Sequence, residues 1–280
     1  MTASVEGSDP IVALYDAHNH LQDDRFAGQQ EQIVREAIGV WVRRMVVNGA
    51  CEEDWPLVLD LARRFPCVAP SFGYHPWHLS ARTPDWERRL SDFLELSGGG
   101  MGEIGLDRWK EGLDWTEQEL VFVAQWRMAV ERGLPISVHC LKAWGALEQI
   151  LRRESPAPRG FLLHSYGGSI EMIPSLVRLG AYFSFPGYFL NARKSRQAET
   201  FRQVPRDRLL VETDAPDQMP PESAIRFPFP GSIPGSSLNH PGNLRAIYEG
   251  FARVLGRSLL DLAEQTERNF HALFGGLGSQ

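Results

Sequence analysis

Eight short β-rich runs alternate with longer helix-patterned segments along this 280-residue chain, and the alternation persists from one end to the other. The runs are residues 11–16, 42–48, 68–74, 101–106, 136–139, 161–164, 181–185 and 209–212. Most are continuously apolar, as expected of parallel strands covered on both faces. Residues 115–132 show the helical pattern between them: Leu120, Val123, Ala124, Arg127 and Met128 fall near a 3.6-residue period. Thr116-x-x-Glu119 reads as a capping box at its start, and Gly133-Leu134-Pro135 as its stop. Ser258-x-x-Asp261 opens the last helix by the same logic. Eight strands with helices between them and no linker predict a (β/α)8 TIM barrel, with 1–280 a single α/β domain. A doubly wound open sheet is the alternative; its Rossmann form is disfavoured because no GxGxxG follows the first run.

Two stretches stand outside the alternation. Residues 1–10 carry neither a basic nor an apolar block, so they are not a signal peptide and are expected to be flexible. Residues 217–241 hold Pro220, Pro221, Pro228, Pro230, Pro234 and Pro241, which forbids continuous helix or central strand. A loop this long after the eighth strand is expected to wall the mouth of a barrel. Composition narrows the function classes. With 29 basic and 35 acidic residues the net charge is −6, so no global basic field holds nucleic acid, although a local basic rim is compatible with it. No stretch approaches the ~18 apolar residues of a membrane helix. Cys51, Cys67 and Cys140 form no CxxC pair and leave one over in any pairing, which points to a reduced, cytoplasmic protein. Oligomeric state stays open, a monomer being compatible with all of this.

The histidines carry the chemistry. His18 and His20 close the first run two residues apart, so both imidazoles are expected on one side of the strand. His75, His139 and His164 end the third, fifth and sixth runs, Glu103 lies in the fourth, and Asp214 ends the eighth. Catalytic groups of barrels come from these C-terminal strand ends. A lone strand-end histidine is ordinarily a hydrogen-bonded structural residue, but imidazoles and carboxylates gathered at one end are costly unless a cation compensates them. Mixed His and carboxylate ligation suits divalent ions such as zinc, manganese or iron, and less comfortably magnesium; two such ions commonly share a bridging carboxylate. Cys140, next to His139, is expected to turn toward the helices as a small hydrophobe.

The ordered set of motifs resembles the TatD family of metal-dependent deoxyribonucleases, within the amidohydrolase-like barrels. The matching pieces are Asp16-Ala17-His18-Asn19-His20, Gly73-Tyr74-His75-Pro76, Gly102-Glu103-Ile104-Gly105-Leu106-Asp107, Val138-His139, Leu163-His164-Ser165-Tyr166-Gly167-Gly168 and Glu212-Thr213-Asp214-Ala215-Pro216. Asn239 to Leu244 and Thr266 to Gly275 complete the set. The resemblance implies two divalent metal ions. His18, His20 and Asp214 would hold one and His139 and His164 the other, with Glu103 bridging and Asp214 doubling as general base. Many relatives in the superfamily bridge with a carbamylated Lys at the end of strand four; no Lys occurs here before Lys110, so a carboxylate bridge is expected. His75 would lie near the substrate phosphate, with His78 beyond it in a loop; His240 and His271 are expected to be a plain loop residue and a plain helix residue.

Three departures from the family pattern bear on substrate. An Arg usual after the strand-five histidine is absent; Lys142 is the nearest cation, and a point charge does not reproduce a bidentate Arg clamp. His240-Pro241 stands where Glu-Pro is usual, and Arg108-Trp109-Lys110 replaces a Tyr after strand four. Arg108, Lys110 and Lys142 are therefore the expected phosphate contacts; Trp77, Trp109, Phe227 and Phe229 are candidate stacking surfaces, with a structural role as the alternative for each. The implied activity is hydrolysis of DNA or another phosphodiester from a short or single-stranded end. Two alternatives remain: a small amide, lactone or phosphoester as substrate with the metals kept, or a non-catalytic, metal-stabilised binding protein.

Overall fold

The computed structural model describes residues 11–26, 28–231 and 237–278. Eight parallel strands follow one another in sequence order: β1 Leu14–Asn19, β2 Val42–Asn48, β3 Val68–Phe72, β4 Gly100–Asp107, β5 Ile136–Leu141, β6 Phe161–Leu163, β7 Ala181–Pro186 and β8 Leu209–Glu212. Closure from β8 back to β1 is made just beyond β8, where the Asp214 amide donates to the His18 carbonyl (2.9 Å) and the His20 amide to that of Ala215 (2.7 Å). Consecutive order with adjoining ends is a barrel, and it removes the doubly wound alternative. The helices between strands are α1 Gln30–Gly39, α2 Trp55–Arg64, α3 Trp86–Ser97, α4 Trp115–Arg132, α5 Trp144–Arg153, α6 Ile173–Arg178 and α7 Ser195–Thr200. Two more, α8 Leu244–Leu255 and α9 Leu259–Phe274, follow β8.

Strand alternation sorts the side chains. Ile136, Val138 and Cys140 of β5 face the helices in the main core, as expected for Cys140, and that leaves His139 for the interior. At the base, Tyr15, Ala17, Val46, Ala69, Leu162 and Leu210 meet Phe270, Leu273 and Phe274, so α9 plugs the barrel floor. Its N-terminus is capped as read: the Ser258 hydroxyl accepts from the Asp261 amide. Asn269 donates to the Leu209 carbonyl (2.7 Å) and ties the plug to β8.

Strict alternation would turn Tyr15 and Ala17 inward and His18 outward. The β1–β2 register shifts between Asp16 and Asn19, and the irregularity brings His18 and His20 to the mouth. A second shift lies between Met101 and Ile104 of β4. There Glu103 turns inward and Gly102 faces Ser137 and Asn48 so closely that a Cβ would collide with both.

Three local expectations are corrected. The first strand begins at Leu14, where its register with β2 starts, and Ile11 is 69% exposed. In α4 the period is right and the phase is not: Gln118, Val121, Phe122, Gln125, Trp126 and Ala129 are buried, while Leu120 is 67% exposed. The two glutamines head the inward stripe because each bonds strand-end backbone; Gln118 pairs with both the amide and carbonyl of Asp107, and Gln125 with those of Tyr74. The cap of α4 is Asp114, whose carboxylate accepts from the Glu117 amide, not Thr116. In the proline-rich segment the described part makes a short ribbon, β9 Phe229–Pro230 against β10 Ser237–Leu238. Pro234 and the expectation for residues 1–10 lie outside the described residues.

Candidate metal centre

Glu103 is the hub, 3% exposed at the barrel mouth. Its Oε2 faces His18 Nε2 (3.3 Å) and His20 Nε2 (3.2 Å). Its Oε1 faces His164 Nε2 (2.9 Å) and His139 Nδ1 (3.1 Å). Asp214 Oδ1 lies 3.7 Å from Nε2 of both His18 and His20. The groups that are close enough to share a cation include His18, His20 and Glu103, and His18, His164 and Asp214.

Outer contacts decide which ring nitrogen is free. His20 Nδ1 donates to the Asn48 carbonyl (2.8 Å), which leaves the Nε2 lone pair toward Glu103. His139 is held the other way round: Nε2–H donates to Asp107 Oδ2 (3.1 Å), leaving Nδ1. Asp107 is itself fixed by Trp77 Nε1 (2.7 Å) and by the amides of Trp109 (2.6 Å) and Lys110 (3.0 Å). His75 is unlike these. Its Nδ1 accepts from the Trp77 amide (3.1 Å), so Nε2 carries the proton and points an N–H at the site, 3.6 Å from Glu103 Oε1. On that tautomer His75 turns an N–H and not a lone pair to the site, although its distance to Glu103 and His139 alone would admit it to a cation site. His18 differs, because the Asn48 amide 3.1 Å from its Nδ1 can turn its otherwise unpartnered Oδ1 to that nitrogen and leave Nε2 free. His164 Nδ1, buried without a hydrogen bond, lies 3.7 Å from Glu212 Oε1. Glu212 is held in turn by the Ser165 amide (2.7 Å) and hydroxyl (2.5 Å) and by Ser184.

The field of the site favours positive charge. Burial pushes the Glu103 carboxyl up, but His164, His75 and His18 outweigh it and hold the group well below the usual carboxylate range. Burial disfavours charged imidazole at His20, yet the hydrogen bond and charge of Glu103 carry it up to about 9. His139 and His164 are also raised against their burial, by Asp107 and Glu103 for the first and by Glu103 for the second. Lone pairs turned toward a buried, ionised carboxylate repel it unless a cation stands between them. The donor set therefore fits divalent metal, with imidazole nitrogen and carboxylate oxygen on each side of Glu103.

A cavity of about 520 Å³ opens above these residues, with His20, His75, Trp77, Glu103 and Asp214 in its wall. Its rim carries Arg25, clamped by Asp23 and Asp217 at 2.7–2.9 Å. The expected phosphate contacts are placed elsewhere. Arg108 lies 3.8 Å over the Trp115 ring and Lys110 4.5 Å over Trp77; neither lines this cavity. Lys142 lines a neighbouring chamber. Trp77 and Trp109 stack on one another at the mouth, centroids 6.5 Å apart, whereas Phe229 is buried against Phe26 and Phe227 stacks on His240. Among its described residues the proline-rich segment walls this cavity through Asp217 and Gln218 alone; residues 226–230 line a separate pocket with Ile33 and Glu36 of α1. His240 is no plain loop residue: it is 1% exposed, with Nδ1 accepting from the Gly242 amide and Nε2 3.1 Å from Glu36. His78 is on the cavity wall, and His271 sits on α9 beside Tyr15.

Sequence reasoning gave no role to Asp107, Asn48, Glu212 or Gln218. Asp107 and Glu212 stand inside the quoted motifs; Gln218, which donates to Asp214 Oδ2 (2.8 Å), carries no signal of its own.

The sequence profile of the family described as TatD related DNase matches residues 15–275. The chain belongs to the TatD family. A TatD relative from Erwinia tasmaniensis, named 3'-5' ssDNA/RNA exonuclease TatD, is 29% identical over 267 residues, 93% of this chain and 99% of that protein. Its namesake from Erwinia amylovora is 30% identical over 94% of this chain and all of that protein. The metal-dependent hydrolase YabD of Bacillus subtilis is 28% identical over 93% of this chain and 98% of its own length. The TatD homologue YJJV of Escherichia coli K12 superposes with a TM-score of 0.84 over 95% of this chain and 99% of that one, at 24% identity, which speaks to the fold. This TatD chain is thus a metal-dependent hydrolase with a TIM barrel, and no helix among its described residues is long and apolar enough to cross a membrane.

Proposed function

We propose that this chain removes nucleotides from the 3' end of single-stranded DNA or RNA, hydrolysing the terminal phosphodiester with two divalent cations held on either side of Glu103. The observation that carries the reading is the division of labour at Glu103, whose two oxygens face separate imidazole pairs at 2.9–3.3 Å. His18, His20 and Asp214 would hold one cation, and His139 and His164 the other. Divalent ions there supply Lewis acidity, which eases loss of a proton from water and offsets charge building on an in-line phosphoryl group. Asp214 accepts the proton of the attacking water. Gln218 holds Asp214 Oδ2, so Oδ1 is the oxygen aimed into the site. His75 donates its Nε2–H to a phosphoryl oxygen, a role its Trp77 contact prepares. Arg25, between two carboxylates on the rim, keeps the loops after β1 and β8 in register over the substrate. The names of the relatives support a single-stranded substrate, and so does the net charge of −6, which disfavours tight non-specific duplex binding. The reading takes 1–280 as one barrel domain.

A small phosphoester or amide is the second reading. One observation favours it: neither Arg108 nor Lys110 reaches the cavity. Hydrolysis of a 5'-labelled single-stranded oligonucleotide by metal-stripped protein separates them, with magnesium, manganese and zinc restored in turn. Stepwise metal-dependent shortening, lost in Asp214→Asn, is expected. Absence of cleavage with every metal overturns the nuclease reading.

A further inference from the structure

We propose that the chamber beside the metal centre is a nucleotide subsite, which holds the nucleotide adjoining the scissile bond of a single strand. This rests on the phosphodiesterase reading and deepens it. The chamber measures about 690 Å³, the size of a small-ligand pocket, and shares Leu141, Ser165 and Gln218 with the cavity over Glu103. A strand with a phosphate at the centre therefore has an adjoining space of nucleotide size.

The chemistry of its wall differs from that of the centre. Lys142, Arg193 and Lys194 line it and, among the described residues, no carboxylate does, although the chain as a whole carries −6. The centre's cavity, in contrast, is lined by Asp23, Glu103, Asp214 and Asp217. A cavity whose carboxylates and imidazoles would be taken up by metal thus adjoins a cationic pocket, and focusing between low-dielectric walls attracts the next phosphate of the strand to the second. Lys142 is held there by left-handed backbone, φ 53°, at the end of β5.

Aromatic faces complete the site. Trp144 and Tyr188 both line the chamber. The cations already lie over one of them: Arg193 Cζ is 5.2 Å and Lys194 Nζ 4.9 Å from the Tyr188 ring centroid. A basic groove with stacking surfaces is the arrangement that binds single strands with little sequence preference. Lys142 thereby meets a phosphate of the strand in this chamber, away from the metals, and a base stacks on the Trp144 or Tyr188 face.

The test is charge reversal at Arg193→Glu/Lys194→Glu in metal-loaded protein, with a matched reversal, Arg63→Glu/Arg64→Glu, on α2 at the far end of the barrel. Substrates are a labelled oligothymidylate decamer and bis(4-nitrophenyl) phosphate, a diester with no second nucleotide. The ratio of kcat/KM for the decamer to that for the small diester is expected to fall at least tenfold in the chamber variant, through KM. The α2 variant should change it less than twofold, and the salt dependence of decamer KM should become shallower only in the chamber variant. A ratio unchanged within twofold, or reduced equally by both reversals, overturns the inference. Decamer binding by fluorescence anisotropy, in an Asp214→Asn background, separates this failure from failure of the nuclease reading. If the wild type hydrolyses neither diester the nuclease reading falls, and the chamber stands or falls on whether its reversal weakens binding tenfold.

Discussion

Replacing Asp107 by Asn changes one atom and reverses the logic of the second histidine pair. Asp107 accepts four hydrogen bonds: at Oδ1 from the Trp109 and Lys110 amides, and at Oδ2 from Trp77 Nε1–H and His139 Nε2–H. An Asn that keeps its oxygen on the two amides must point its NH2 at two other donors. Relief is available only if His139 moves its proton to Nδ1, the atom 3.1 Å from Glu103 Oε1, and so loses the lone pair with which it would hold a cation. Loss of such an orienting partner costs roughly 10- to 100-fold in metal affinity or activity, or about 1.4–2.7 kcal/mol at 1.36 kcal/mol per factor of ten. The assay is competition of apoprotein against a chromophoric chelator for manganese, with decamer kcat/KM measured at saturating metal. The variant should weaken one of two binding events by that factor and leave the other within twofold. Unchanged affinity in both events would refute the account of His139.

Other outcomes follow from the same geometry. Gly105→Ala should destabilise the fold by about 1–3 kcal/mol, because its Cβ would overlap the carbonyl oxygen of His139 on β5; urea denaturation at constant m reads this directly. His240 is pushed by burial down to about 4, against the pull of Glu36, so the unfolded chain takes the proton first as pH falls below about 6.5. Relative to His240→Gln, the wild type should therefore lose about 2–3 kcal/mol of stability between pH 7 and pH 4.5, and parallel losses in the two proteins would contradict the assignment. Removing both ions with a chelator should lower the wild-type melting temperature by roughly 10–20 °C if each is present at about 100 times its Kd, worth about 2.7 kcal/mol per site. The same chelator should leave Glu103→Gln unmoved in a thermal-shift assay.

Much of this was legible in the sequence for physical reasons. The bounds of β2 and β8 are legible because each carries a short buried apolar run, Met45–Val47 in the first and Leu209–Val211 in the second. The gathering of His18, His20, His139, His164, Glu103 and Asp214 at one mouth is legible because all of them fall at or near strand ends. What failed depends on neighbours distant in sequence. The inward face of α4 is headed by Gln118 and Gln125, polar residues whose partners are the backbones of Asp107 and Tyr74. No periodicity of apolar residues reveals that. Residue type and place alone make Arg108 and Lys110 phosphate contacts, but in the fold they lie over the Trp115 and Trp77 rings and neither lines the cavity. Asp107 and Glu212 were in view as letters of motifs. Their function as orienters of His139 and neighbours of His164 exists only once β4, β5, β6 and β8 are side by side.

The central claim is that one carboxylate, Glu103, joins two cation sites. Counting manganese per chain in reconstituted wild-type and Glu103→Gln protein, after removal of free metal, tests it most directly. Two ions in the wild type and fewer than one in the variant are predicted. A single ion in the wild type, or two retained without the Glu103 carboxylate, would contradict the account.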